Sequence, residues 1–146
     1  MIKILIVDDS SSLRMVIENY LKIMLPNAKY YQSSNGVEAE EVLQEAYLVG
    51  EPITLVFLDW MMPKLDGNSF LENLRGVKHF TENPCIVMLT AETYPKQINS
   101  VMKHKVFAYV TKPFSFDDLR EVVKRVPGVG GEISNMTPES FVKKVV

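Results

Sequence analysis

The stretch Ile2-Lys3-Ile4-Leu5-Ile6-Val7-Asp8-Asp9 decides how the chain is read. An unbroken aliphatic run rich in β-branched residues fits a strand covered on both faces. It stops abruptly at two carboxylates. The same design recurs in Ile53–Leu58 followed by Asp59, and in Cys85–Leu89 followed by Thr90. Val106–Val110 is a weaker version ending before Thr111-Lys112-Pro113. Lys29–Ser33 is the most polar of the group and reads as an edge strand.

Helical patterns fill the gaps. Leu13, Val16, Ile17, Tyr20, Leu21, Met24 and Leu25 recur at i, i+3, i+4 spacing and predict one apolar stripe. Ser10 or Ser11 supplies its cap, and Pro26 ends it by pushing Leu25 out of the α region. The next helix spans about Gly36 to Val49, with Asn35 and Glu38 spaced as a capping box. Its Val42, Leu43, Ala46 and Tyr47 are expected to face inward, with Glu38, Glu40, Glu41 and Glu45 in water. Further helices are predicted at Asn68–Leu74, Tyr94–His104 and Phe116–Val126. Strict alternation of strand and helix predicts an α/β domain, a mostly parallel sheet with helices on both faces.

A chain of 146 residues suits one domain. Hydrophobic residues at 47% and charged residues at 23% exclude a disordered chain. With 16 basic and 18 acidic residues the formal net charge is −2, which excludes a broad basic face for nucleic acid. No apolar run is long enough for a signal peptide or a bilayer span, so a cytoplasmic protein without membrane insertion is expected. The single Cys85 rules out an internal disulfide and reads as a small core hydrophobe. His79 and His104 read as surface residues. Pro127-Gly128-Val129-Gly130-Gly131 divides a domain at 1–126 from a linker and tail at 127–146. There, Thr137-Pro138 could start a short docked helix carrying Phe141, Val142 and Val145.

In open α/β sheets, ligands sit beyond the carboxyl ends of the strands, where the strand order reverses. Asp8, Asp9, Asp59, Thr90 and Lys112 occupy those ends on the first, third, fourth and fifth strands, whereas the second ends in an undistinguished Ser33-Ser34. The order 2-1-3-4-5 puts that silent strand at an edge, so the polar ends and this topology agree. Gathered carboxylates repel by about 4 kcal/mol per pair at 4 Å and an effective dielectric near 20. They call for a cation, and hard oxygen donors suit Mg2+, with Mn2+ also accommodated. Lys112 and the Thr90 hydroxyl suit phosphoryl oxygens. A carboxylate such as Asp59 can itself accept a phosphoryl group.

Ile4–Asp9, Phe57-Leu58-Asp59-Trp60-Met61-Met62-Pro63 with Gly67, Leu89-Thr90-Ala91, and Tyr109-Val110-Thr111-Lys112-Pro113-Phe114 resemble the signature of response-regulator receiver domains. The resemblance runs in register over roughly residues 1–126 and implies a flavodoxin-like, doubly wound, five-stranded parallel sheet. It implies that Asp59 takes phosphate from a phosphohistidine on a sensor kinase or phosphotransfer protein. Asp9 would bind Mg2+ directly, Asp8 largely through water, and Met61 through its backbone carbonyl. Thr90 and Lys112 would hold the phosphoryl group, and Tyr109 would be the switch residue. The output surface would be the Tyr94–His104 helix, the Tyr109 strand and the Phe116–Val126 helix, acting on a protein target. The chain would be a monomer or a phosphorylation-dependent dimer. Trp60 and Glu92, with no output domain in view, are similar to the stand-alone chemotaxis type, from which Met61 departs where a polar residue is common.

The reading is thus a phosphoacceptor switch and not an enzyme in the ordinary sense. Its rival is a Mg-dependent phosphatase of the haloacid-dehalogenase type, which wants a second aspartate two residues after its nucleophile. Ser10 stands at that place after Asp8. A flavodoxin-like cofactor carrier is disfavoured by the charges opening the first loop. A phosphorylation-independent scaffold would leave the acidic set without a purpose.

Overall fold

Side-chain alternation along the strands sorts the interior into two cores, one on each face of a single sheet. The computed structural model describes residues 1–59, 67–91 and 95–139. In chain order it contains β1 (Lys3–Val7), α1 (Ser11–Met24), β2 (Lys29–Ser33), α2 (Gly36–Leu48), β3 (Leu55–Leu58), α3 (Gly67–Gly76), β4 (Cys85–Thr90), α4 (Pro95–Met102), β5 (Ala108–Thr111) and α5 (Phe116–Val123). The five strands are parallel in the order β2-β1-β3-β4-β5. Ile4, Ile6, Leu55, Phe57, Val87 and Leu89 meet α1 and α5 on one face. Leu5, Val7, Val56, Leu58, Ile86 and Met88 face α2 and α3 on the other. Near-continuous apolar runs are therefore the mark of a doubly covered sheet, as expected for this α/β fold.

Local signals account for four of the helix ends. Ser10 is the cap of α1, its hydroxyl accepting from the Leu13 amide at 3.2 Å. Leu25, ahead of Pro26, leaves the helix at φ −131° and ψ 71°. Ser115 and Asp118 form a reciprocal capping box on α5. At α2, Asn35 accepts from the Glu38 amide, but the Glu38 carboxylate returns to the backbone and hydroxyl of Ser34, one residue earlier than anticipated. Those bonds hold the Glu38 carboxyl below its ordinary range.

Periodicity misplaced some side chains and boundaries. Val16 is 42% exposed and Tyr47 41% exposed. Ala39, Leu43 and Ala46 take the α2 core positions, and the Tyr47 ring lies outside them, stacked on His79 at 3.7 Å between centroids. His79 and His104 are half-buried, more enclosed than surface residues. Ile53 and Val106 are buried but precede their strands' paired residues, because an apolar pattern reports burial and not ladder pairing. Likewise α5 ends at Val123, while Val126 stays buried through a tighter turn closed by its amide on the Val123 carbonyl at 3.1 Å.

Beyond α5 the chain keeps packing. Val129 is fully buried in the α1–α5 core, and Ile133 lies against it. The Ser134 amide meets the Met24 carbonyl at 2.7 Å, answering one of the unpaired acceptors that end α1. Pro138 and Glu139 begin a helical turn; Phe141, Val142 and Val145 lie outside the described residues.

Candidate functional site

Strand register brings the candidate residues to one rim. Val7 pairs with Ser33 on one side and Leu58 on the other, and Leu58 pairs with Met88. Asp8 and Asp59 are thus the first residues past a matched pair of strand ends. The Asp8 amide bonds the Ser33 carbonyl at 3.1 Å and the Asp59 amide bonds the Val7 carbonyl at 2.9 Å, so both carboxylates leave a fixed backbone. Thr90 pairs with Thr111, and the Lys112 amide bonds the Thr90 carbonyl at 2.8 Å. The Lys112–Pro113 peptide bond is cis.

Asp8, Asp9 and Asp59 each present a carboxylate oxygen, all within 4.8 Å of one another. Asp8 is 2% exposed, Asp59 6% and Thr90 0%, whereas Asp9 faces water. The Lys112 ammonium donates to Asp8 Oδ2 at 2.9 Å and lies 3.3 Å from Asp59 Oδ2. Asp8 Oδ1 accepts from the Ser10 amide at 2.9 Å, which ties the loop to the start of α1. Buried charge of this kind persists only when paired and hydrogen-bonded. Hard oxygen donors, a surplus of negative charge and the exposure of Asp9 fit a small divalent cation that keeps some of its water. The residues present therefore suit Mg2+.

Tyr109 is half-buried against the α2–α3 side of the core, and its phenol oxygen is enclosed with no hydrogen-bond partner among the described residues. Met61, expected to offer its carbonyl, and Trp60 and Glu92 lie outside the described residues.

Two residues near the rim escaped the sequence reading. Arg14, one turn into α1, donates to the Asp8 carbonyl oxygen through Nη1 and to Gln32 Oε1 through Nε at 3.0 Å. Gln32 belongs to β2, the strand that looked silent. A cation close to a helix N-terminus opposes the helix dipole, and that oddity was the available signal.

Among the described residues, no helix is long and apolar enough to cross a membrane. Comparison with known proteins agrees with the geometry. The pattern of the "Response regulator receiver domain" matches residues 4–124. A Campylobacter jejuni "Chemotaxis protein CheY homolog" is 32% identical over 128 residues, covering 88% of this chain and 94% of the relative. Helicobacter pylori "Chemotaxis protein CheY1" is 32% identical over 126 residues, covering 86% and 97%. The crystal structure of Vibrio cholerae CheY4 superposes with a TM-score of 0.74 at 27% identity, covering 86% of this chain and 98% of that one. With that length of match and that arrangement of strand ends, the chain belongs to the response-regulator receiver domain family.

Proposed function

We propose that this protein is a phosphorylatable signalling switch in which Asp59 is the acceptor. The supporting observation is the convergence of Asp8, Asp9 and Asp59 with Lys112 at one rim. A carboxylate oxygen of Asp59 forms the new bond to phosphorus as the phosphorus–nitrogen bond of a phosphohistidine donor breaks. The imidazole leaves with the electron pair and is protonated from solvent. Lys112, already 3.3 Å from Asp59, faces the negative charge that arrives with the phosphoryl group. Asp8, Asp9, Asp59 and the Met61 carbonyl would hold Mg2+, and bound Mg2+ supplies charge neutralisation at the phosphoryl oxygens. Chemistry beyond taking up and slowly losing this phosphate is not part of the reading, and the family match lends the haloacid-dehalogenase alternative no support.

Thr90 and Tyr109 carry the change outward. The Thr90 hydroxyl donates to the phosphoryl group, vacating space into which the Tyr109 ring turns. An enclosed phenol without a hydrogen-bond partner among the described residues costs about 1–3 kcal/mol where it stands, so nothing polar pins this ring in place. Shifting such an equilibrium from 1:99 to 99:1 takes about 5.5 kcal/mol of differential interaction. A dianionic phosphoryl group contacting Lys112 and a divalent ion is of the right size to supply it. The surface of α4, β5 and α5 then changes shape for a protein target, in a chemotaxis or similar two-component pathway in the cytoplasm. The receiver would span 1–126 and the tail 127–146.

The test uses Trp60, the chain's single tryptophan and the neighbour of Asp59 in sequence. With Mg2+ present, beryllofluoride or acetyl phosphate is expected to change its fluorescence in the wild type and to have no effect on Asp59→Asn. An equal response in both proteins would overturn the assignment of Asp59.

A further inference from the structure

We propose that Arg14 is a positioning residue for the acidic pocket, holding the Asp8 backbone in the place from which Asp8 and Asp9 face Asp59, with Gln32 as its anchor. The proposal rests on the reading of that pocket as a cation site.

The geometry is specific. Arg14 grips the carbonyl of Asp8, the residue whose carboxylate is already divided between Lys112 and the Ser10 amide. Main chain and side chain of Asp8 are thereby fixed from opposite directions: Lys112 from the end of β5, Arg14 from α1. A planar guanidinium offers two donors in fixed relation, so the same group that holds Asp8 is held by Gln32. The chain of contacts continues, since Gln32 Nε2 donates to Glu18 Oε1 at 3.4 Å and Glu18 pairs with Lys22 at 3.1 Å. Arg14 and Glu18 lie one turn apart on α1, and Gln32 bridges them from the edge strand. The β1–α1 loop carrying Asp9 is therefore braced against β2. Asp9 itself is exposed and is the least constrained of the three carboxylates, so its approach to Asp59 depends most on the loop beneath it.

Two effects of Arg14 on a cation have opposite signs, which makes the proposal decidable. As a positive charge near the pocket, Arg14 repels Mg2+, and its removal should tighten binding. As a brace, it sets the distances between donors, and its removal should loosen binding. Groups that orient metal ligands typically contribute about 10–100-fold to affinity. The brace is therefore expected to win.

The experiment is a Mg2+ titration of the full chain followed by Trp60 fluorescence, for wild type, Arg14→Lys, Arg14→Ala and Gln32→Ala. Positioning predicts weakening of about tenfold in Arg14→Ala and a smaller weakening in Arg14→Lys, which keeps the charge and loses the fork. Gln32→Ala is expected to weaken binding as well, although Gln32 bonds Arg14 and Glu18 and not Asp8, Asp9 or Asp59. Adding Gln32→Ala to Arg14→Ala should then change nothing further, because both act along one chain of contacts. Unchanged or tighter binding in Arg14→Ala, or additive effects in the double variant, would overturn the proposal. If Arg14→Ala does not fold, Arg14→Lys and Gln32→Ala decide the matter in the same way. A wild type that itself shows no Mg2+ response would instead sink the cation-site reading.

Discussion

Lys112 shows how one side chain can serve a pocket and its folding at once. Its ammonium spans Asp8 and Asp59, two carboxylates that are almost wholly buried and would otherwise repel across the β1–β3 junction. Far from that rim, burial acts on the phenol of Tyr30. Its hydroxyl donates to the Leu25 carbonyl at 2.8 Å, and burial raises the phenol well above its ordinary 10.0, with Glu18 adding to the rise. A raised folded-state value means that the stabilisation is complete below pH 10 and declines as pH climbs beyond it. Tyr30→Phe is therefore expected to lose stability near neutrality, through the missing hydrogen bond, and to lose less than the wild type between pH 10 and 11.5. Urea midpoints across that range check it; parallel declines in both proteins would contradict the assignment. Sequence could name the acidic residues and Lys112 because each follows a readable strand. Arg14 left only the faint trace of a cation near a helix N-terminus, because its partners, a backbone oxygen and a glutamine on β2, are set by tertiary structure.

Elements were legible where local chemistry sets them and obscure where tertiary contacts do. The Lys29–Ser33 strand and the cap at Ser10 were written in propensity and spacing. Tyr47 and Val16 were not, since an aromatic or aliphatic residue beside the stripe is inward only if a neighbour offers room. Arg75 is another product of assembly: from α3 it donates to the carbonyls of Phe80, Pro84, His104 and Lys105. Burial lowers its guanidinium from the ordinary range, and the same burial raises the nearby Cys85 thiol. Nothing in the sequence marks those four acceptors. At α5 the opposite holds, because Ser115 and Asp118 advertise the cap that they form. Ser115→Ala is expected to cost about 1 kcal/mol. Denaturant unfolding measures it, and a change within error would mean that Asp118 alone secures the end.

The whole molecule extends past the point where alternation of strand and helix gives out. Pro127–Gly131 has the composition of a linker, yet Val129 within it is fully buried. Gly130 runs so close to the backbone of Lys124 that any β-carbon would collide with the Lys124 carbonyl. The glycine is thus a packing requirement of the turn, independent of flexibility. Gly130→Ala should displace Val129 and lower the melting temperature by about 2–8 °C, the shift expected for 1–2 kcal/mol in a chain of this size. An unchanged melting temperature would show that the segment adjusts freely.

At the opposite end of the sheet, formal charge has a consequence of its own. Asp8, Asp9 and Asp59 carry three negative charges and Lys112 returns one positive charge, leaving two. One alkaline-earth ion brings that total to electroneutrality, whereas one potassium or sodium ion covers only half of it. Valence matching of this kind discriminates among the salts of a cell before ionic radius or hydration enters, and it is written into four side chains drawn from three strand ends.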